Sequence, residues 1–374
     1  MADAVYLDYN ATAPLKPEVL DAVAVALRQT GNASSVHRFG RWARREVETA
    51  RSRVADLVGV SPDHVIFTSG GTEANNLVFA GVARERTIVS AIEHDSVHGA
   101  AADAETIPVT RDGVVDLDVL AGLLTSDDRR ALVSIMLANN ETGVIQPVAE
   151  AAMLAHAAGA LIHCDAVQAV GRIPVDVATL GVDFLALSAH KFGGPQGSGA
   201  LVVKEDSPLR PMLRGGGQER NRRAGTENVA ALVGFGAAAL SARRDLDRQV
   251  ELALLRDALE ARIRAILPTA IVFGASARRL ANTSCFSSPG VPSATQVMAL
   301  DLAGVAVSAG SACSSGKIGP SHVLAAMGAS PAEAECAIRV SLGWRSHRSD
   351  IDRFVDAWRG LIMRRAVAVD QPAA

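Results

Sequence analysis

Short apolar segments alternate with helical segments through the first two thirds of the chain, and this alternation constrains the fold more than any other feature. The apolar segments lie at 65–68, 87–91, 131–137, 160–164, 182–188 and 199–204. Helical spacing of apolar residues is found at 41–60, 74–82 and 148–158. The pattern predicts an α/β fold with an open, mostly parallel sheet covered by helices on both faces.

The pattern changes near residue 229, which indicates a second structural unit. A long helical region at 229–266 is followed by short strands near 271–273, 282–286 and 305–307 and by helices at 321–327 and 349–367. A chain of 374 residues also exceeds the size at which one core stops growing. We therefore predict a large domain over 15–250 and a smaller α+β domain formed by 1–14 and 251–374.

The charge and hydropathy of the chain exclude several functional classes. The net charge of −3 gives no basic surplus for binding nucleic acid. Neither a signal peptide nor an uncharged apolar stretch of membrane-spanning length is recognisable, so we expect a cytoplasmic protein without a membrane partner. The four cysteines, Cys164, Cys285, Cys313 and Cys336, are far apart, which argues against a disulfide framework.

The apolar run that begins at residue 182 ends in Lys191, directly before a glycine-rich turn. Desolvation beside a hydrophobic strand end favours the neutral amine of a lysine. A neutral amine can attack a carbonyl and form a Schiff base. The alternative is a lysine that extends its amine into solvent.

Other polar residues follow the predicted strands, where open α/β sheets bind their ligands. The Ser-Gly-Gly-Thr segment at 69–72 joins a strand to a helix and could hold a phosphate at the helix N-terminus, or form a tight turn capped by Thr72. Asp165 could bind a protonated ring nitrogen or cap a helix, and Gln168 could reach the same ring.

Two histidines near the strand at 87–91 leave two interpretations open. His94 could stack on a planar cofactor. His94 and His98 are also spaced i, i+4, so they could share a metal ion in a metal-dependent hydrolase. A structural role is the further alternative for His98.

The phosphate cradle, the stacking ring, the carboxylate and the lysine together match what pyridoxal phosphate requires of a protein.

Cys313 lies among small residues at 308–317, which predicts an exposed loop with a reactive thiol. Arg339 interrupts an apolar run and could bind a substrate carboxylate, or form a structural ion pair.

With these residues, the chain resembles the cysteine desulfurases of the class V aminotransferase family, which are fold-type I pyridoxal-phosphate enzymes. The resemblance covers nearly the whole chain and is carried by residues 6–12, 31–35, 68–76, 139–143, 163–168, 188–191, 215–220, 223–226 and 311–313. It implies a seven-stranded, mostly parallel sheet in the large domain, and a homodimer.

The resemblance also implies a role for each matching residue. Lys191, His94 and Cys313 would be catalytic: Lys191 would carry the cofactor, His94 would stack on its ring, and Cys313 would take the sulfur of L-cysteine as a persulfide and release L-alanine. Asn32 and Arg339 would hold the substrate carboxylate. The implied cofactor contacts are Gly71, Thr72, Asn140, Asp165, Gln168, Ser188, His190, Lys191 and, across the dimer, Thr226.

The sulfur would then pass to an acceptor protein, a scaffold or carrier in iron–sulfur cluster assembly or another thio-cofactor synthesis. Ala33 and Ala13 depart from the proline and threonine usual in the family, which bears on loop rigidity near the substrate. The alternatives within the resemblance are a selenocysteine lyase or another class V enzyme, and a non-catalytic sulfur carrier.

Overall fold

The computed structural model describes residues 4–205, 207–310 and 321–369, so Cys313 lies outside the described residues. The strands are β1 (Val5–Tyr6), β2 (Val65–Thr68), β3 (Arg86–Ser90), β4 (Glu105–Ile107), β5 (Ala131–Ser134), β6 (Leu161–Asp165), β7 (Phe184–Ser188), β8 (Gly199–Val203), β9 (Ile271–Val272), β10 (Thr283–Ser287), β11 (Val305–Ala306), β12 (Ser308–Ala309) and β13 (Ala337–Ser341). The helices are α1 (Pro17–Leu27), α2 (Arg38–Val58), α3 (Gly71–Gly81), α4 (Asp95–His98), α5 (Leu117–Thr125), α6 (Val148–Ala157), α7 (Val177–Leu180), α8 (Val229–Arg244), α9 (Gln249–Ile266), α10 (Ser293–Leu302), α11 (His322–Ala326), α12 (Pro331–Glu335) and α13 (Arg348–Val369).

A seven-stranded sheet with the order β2-β8-β7-β6-β5-β3-β4 forms the centre of the first part of the chain. β8 runs antiparallel to both of its neighbours, whereas the pairs from β7 across to β4 are parallel. The prediction of a mostly parallel seven-stranded sheet is therefore confirmed.

Helices cover both faces of this sheet, which explains why its strands are apolar along their whole length. Along β7, Leu185 and Leu187 pack into a core on one face, and Phe184 and Ala186 pack into a second core on the other. This alternation follows the two-residue period of a strand.

A second set of strands and helices has its own core. β1 pairs with β11, and β12, β13, β10 and β9 form a four-stranded sheet. Leu7, Phe286, Phe354 and Trp358 are buried together in this core, so the N-terminal segment packs against residues from the far end of the chain. The domain boundaries after residues 14 and 250 stay predictions.

The helical region predicted over 229–266 is present, but it consists of two helices. A 3-10 turn at Asp245–Arg248 separates α8 from α9. The carboxylate of Asp245 is held there by an ion pair with the buried Lys16. The turn contains neither glycine nor proline, so the local sequence does not indicate a break in the helix. The break coincides instead with the tertiary contact between Asp245 and Lys16. None of the helices in the described ranges is long and apolar enough to cross a membrane.

Candidate active site

A cavity of about 220 Å³ lies at the carboxyl ends of the central strands. It is lined by many of the residues that the sequence singles out, namely Gly71, Thr72, His94, Asn140, Asp165, Gln168, Ser188, His190 and Lys191. Strand ends meet at one edge of a parallel sheet, so residues scattered over 120 positions converge there. Asn75, Ser96, Met136, Ala138 and Val167 complete the lining.

Asp165 is the last residue of β6 and is buried at the floor of the cavity. Its carboxylate accepts hydrogen bonds from Asn75 Nδ2 at 2.8 Å and from the backbone N–H of Val167 at 2.9 Å. Within the described ranges no lysine, arginine or histidine forms an ion pair with it. A buried carboxylate that meets only neutral donors is suited to a cationic group of a ligand.

Asn75 is a site residue that sequence reasoning missed. It lies on the buried face of α3 and also donates to Ser96 Oγ at 2.8 Å. It therefore links Asp165 to the segment that carries His94. The signal that could have found it was an asparagine on an otherwise apolar helix face.

The N-terminus of α3 faces the same cavity and carries no side-chain cap. At Gly71 a Cβ atom would lie 2.7 Å from Val167 Cγ2, so a larger residue does not fit against the segment that follows β6. The first N–H groups of the helix and its positive dipole end are thereby left open to an anion.

His94 precedes α4 and acts as its cap. Its Nδ1 accepts a hydrogen bond of 3.0 Å from the Ser96 N–H and lies 2.8 Å from Ser96 Oγ. Because Nδ1 accepts, the neutral imidazole carries its proton on Nε2. The ring is thus held in one tautomer at the cavity wall.

Lys191 lies in the 3-10 turn Ala189–Phe192, one turn beyond the strand end at which it was predicted. Its Nζ donates to the carbonyl oxygens of Asn10 at 2.6 Å and Ala11 at 2.9 Å. Asn10 is itself fixed by Ser341, whose Oγ accepts from the Asn10 N–H at 3.0 Å. The turn that follows β1 and the strand β13 therefore both contribute to holding the lysine.

Ser188 ends β7, and His190 lies in the 3-10 turn that directly follows it; both line the cavity. Burial, reinforced by the charges of Lys191 and Arg172, lowers the pKa of His190 to about 4. The imidazole is therefore neutral at physiological pH, and its Nδ1 lies 3.1 Å from Thr12 Oγ1.

The remaining predicted residues lie outside the cavity lining. Asn32 and Thr226 are exposed, and Asn32 Oδ1 accepts from the Ser34 N–H. Arg339 is fully buried and donates to Asp8 Oδ1 at 2.8 Å and to the Asn140 carbonyl at 3.1 Å. The structural ion pair considered for Arg339 is therefore present. Ala13 and Ala33 are both buried.

The ring of His98 contacts His322. The two rings pack edge-on with centroids 5.2 Å apart, and burial lowers the pKa of His98. No cluster of three or more metal-ligating side chains occurs in the described parts of the chain. Cys164, Cys285 and Cys336 are buried, and burial raises the pKa of the Cys164 and Cys285 thiols, so these two stay protonated.

Comparison with known proteins gives a consistent result. The family model "Aminotransferase class-V" matches residues 5–354. The cysteine desulfurase IscS of Dictyoglomus turgidum is 41% identical, over 96% of this chain and 94% of that protein. The structure of a NifS-like protein from Rickettsia africae superposes with a TM-score of 0.89 at 35% identity, covering 96% of this chain and 99% of that one. A structure of SspA in complex with cysteine gives a TM-score of 0.78 at 27% identity, over 90% of this chain and 98% of that one.

Proposed function

The chain belongs to the class-V aminotransferase family and to its cysteine desulfurases, and from this we propose how its own residues remove sulfur from L-cysteine. The observation that carries the proposal is the buried carboxylate of Asp165 beside an uncapped helix N-terminus and Lys191, in one cavity. The enzyme is a pyridoxal-phosphate-dependent cysteine desulfurase that gives L-alanine and a persulfide on Cys313.

The residues present fit pyridoxal phosphate. Asp165 has no cationic partner among the described side chains and would bind the protonated ring nitrogen. The open N–H groups of α3, with Thr72 and Ser188 nearby, would bind the phosphate. Lys191 would bind the aldehyde, and Asn140, Gln168 and His190 would contact the ring or phosphate. When bound, the cofactor withdraws electrons from the substrate carbon next to the amine.

The side chains of the cavity then orient the substrate and move protons. Lys191 Nζ is positioned to exchange a proton with the substrate, because two carbonyl oxygens hold it at the cavity wall. His94 presents a fixed tautomer, so Nε2 is the atom with which its neutral ring would donate a hydrogen bond to the substrate. Arg339 and Asn32 would hold the substrate carboxylate.

Cys313 would act as the sulfur acceptor. Its thiolate attacks the substrate sulfur, a sulfur–sulfur bond forms, and the carbon–sulfur bond breaks with its electron pair left on carbon. That carbon takes up a proton, which completes L-alanine. The persulfide would then pass to an acceptor protein, and Thr226, exposed on this chain, would reach the phosphate of a second subunit.

The test is an assay of alanine and sulfide with L-cysteine, recorded together with the visible spectrum. We expect Cys313→Ala to keep the cofactor absorption and lose sulfur release, and Lys191→Ala to lose both. Cys336→Ala, which changes a buried cysteine, serves as the matched control and should remain active. Full activity of Cys313→Ala, or no alanine from the parent enzyme, would overturn the proposal.

A further inference from the structure

Arg172 is buried beside the cofactor site, although none of the motifs considered above includes it. We propose that Arg172 is a positioning residue, which fixes the orientation of the Gln168 amide and the backbone around Lys191. The proposal rests on the proposed function, because it concerns the same cofactor.

The guanidinium of Arg172 donates only to oxygens of neutral groups. Nη1 donates to Gln168 Oε1 and, at 2.9 Å, to the Gln168 carbonyl. Nη2 donates to the carbonyl oxygens of Lys191 at 3.3 Å and Tyr9 at 3.4 Å. A buried charge is usually paired with an opposite charge, and breaking such a pair is costly. No carboxylate in the described ranges pairs with the guanidinium of Arg172. Burial and the charge of Arg339 lower its pKa to about 9, so it is charged at neutral pH.

These contacts decide which end of the Gln168 amide faces the lysine. A guanidinium has donors and no acceptor, so it must face the amide oxygen. The amide nitrogen then points the other way, where Nε2 donates to the Asn10 carbonyl at 3.0 Å. Lys191 Nζ donates to the same carbonyl. Arg172 thus sets a hydrogen-bond donor, rather than an acceptor, next to the lysine.

The same guanidinium ties together three chain segments that are far apart in sequence. It binds the backbone of the N-terminal segment at Tyr9, the segment after β6 at Gln168, and the 3-10 turn at Lys191. A lysine has a single ammonium and cannot reach these acceptors as a planar fork does. The geometry therefore requires arginine rather than any cation.

The affinity of the apoprotein for pyridoxal phosphate, measured by absorbance titration, tests the proposal without reference to turnover. Loss of a charge-assisted hydrogen bond corresponds to about a tenfold weaker affinity, which we expect for Arg172→Met and for Gln168→Ala. If Arg172 acts through Gln168, the double variant binds no more weakly than the weaker single variant. Arg172→Lys should lie between the parent and Arg172→Met.

Arg86→Met is the matched control, because Arg86 is also a buried arginine but lies on β3, where it pairs with Glu105. It should leave the affinity unchanged. Parent-like affinity in Arg172→Met, or losses that multiply in the double variant, would overturn the proposal. Where Arg172→Met does not fold by circular dichroism, an unchanged affinity of Arg172→Lys overturns it. A parent apoprotein that binds no cofactor would instead contradict the proposed function.

Discussion

Asn75 donates a 2.8 Å hydrogen bond from Nδ2 to Oδ2 of Asp165, so a helix on one face of the sheet orients a carboxylate at the end of a central strand. Both residues are buried, at 1% and 6% exposure. The amide leaves the charge on Asp165 intact while fixing its direction.

Replacement of Asn75 should therefore affect cofactor binding in a defined order. Asn75→Asp places a second carboxylate against Asp165, and like charges at this distance force one of the two to take up a proton. We expect cofactor affinity to fall by at least about tenfold, and by less in Asn75→Ala, which removes the donor without adding charge. Absorbance titration measures both. An alanine variant as impaired as the aspartate variant would contradict this explanation.

Glu93 is fully buried, and burial together with the charge of Asp165 raises its pKa well above 4.5. An acid whose pKa is raised on folding stabilises the folded state below its unfolded pKa, and this stability is lost as pH rises toward the folded pKa. The glutamine of Glu93→Gln has no ionisable group, so the variant does not lose this stability as pH rises. The free energy of unfolding of the variant minus that of the parent should therefore increase above about pH 5, by at most ~1.4 kcal/mol per pH unit. Urea unfolding between pH 5 and 8 tests this, with the exposed Glu251→Gln as the control. A difference that stays constant with pH would refute it.

Protonation of the buried His163 should lower the free energy of unfolding in acid. Burial lowers its pKa to about 4 from 6.5, and its Nδ1 lies 2.9 Å from Ser134 Oγ. Since the unfolded chain binds the proton first, stability falls as pH decreases from 6.5 to 4, by about 3 kcal/mol in total. His163→Asn should make this part of the pH–stability curve shallower. An unchanged slope in urea unfolding would show that other groups dominate.

The ion pair of Arg51 and Glu219 is buried and lies outside the cavity lining, and its loss should strongly lower the free energy of unfolding. Arg51 Nη1 donates to Glu219 Oε2 at 2.6 Å, and the same oxygen accepts from the backbone N–H of Phe67 on the edge strand β2. Glu219→Ala leaves a buried guanidinium without this partner and should cost about 3–5 kcal/mol of unfolding free energy. Asp63→Ala, which breaks an exposed pair with Arg220, should cost less than about 1 kcal/mol. Similar losses of unfolding free energy in the two variants would contradict the prediction that burial makes the Arg51–Glu219 pair the more costly one to break.

The sequence was sufficient for features that depend on local pattern. The strand Val65–Thr68 has the predicted limits. Asp165 ends β6 and Lys191 follows the neighbouring strand β7, as the characteristic length of a parallel crossover predicts. The break at Asp245 could not be predicted, since helix-forming residues surround it and its partner Lys16 is over two hundred positions away.

The same limit applies to the supporting residues of the site. Arg172 belongs to no motif, and Asn75 lies within the segment 68–76 but was given no role there. What gives each a role is a partner that only the folded chain brings near. Arginine in particular is usually exposed, so its burial at position 172 is not expected from composition.

The N-terminal segment that receives the lysine has a consequence for the order of assembly. Asn10 is fixed by Ser341 on β13, which is synthesised 331 residues later. The central sheet can form while synthesis continues, but the carbonyl oxygens that hold Lys191 reach their places only when β13 is present. A nascent chain therefore completes its cofactor site only after β13 has been synthesised.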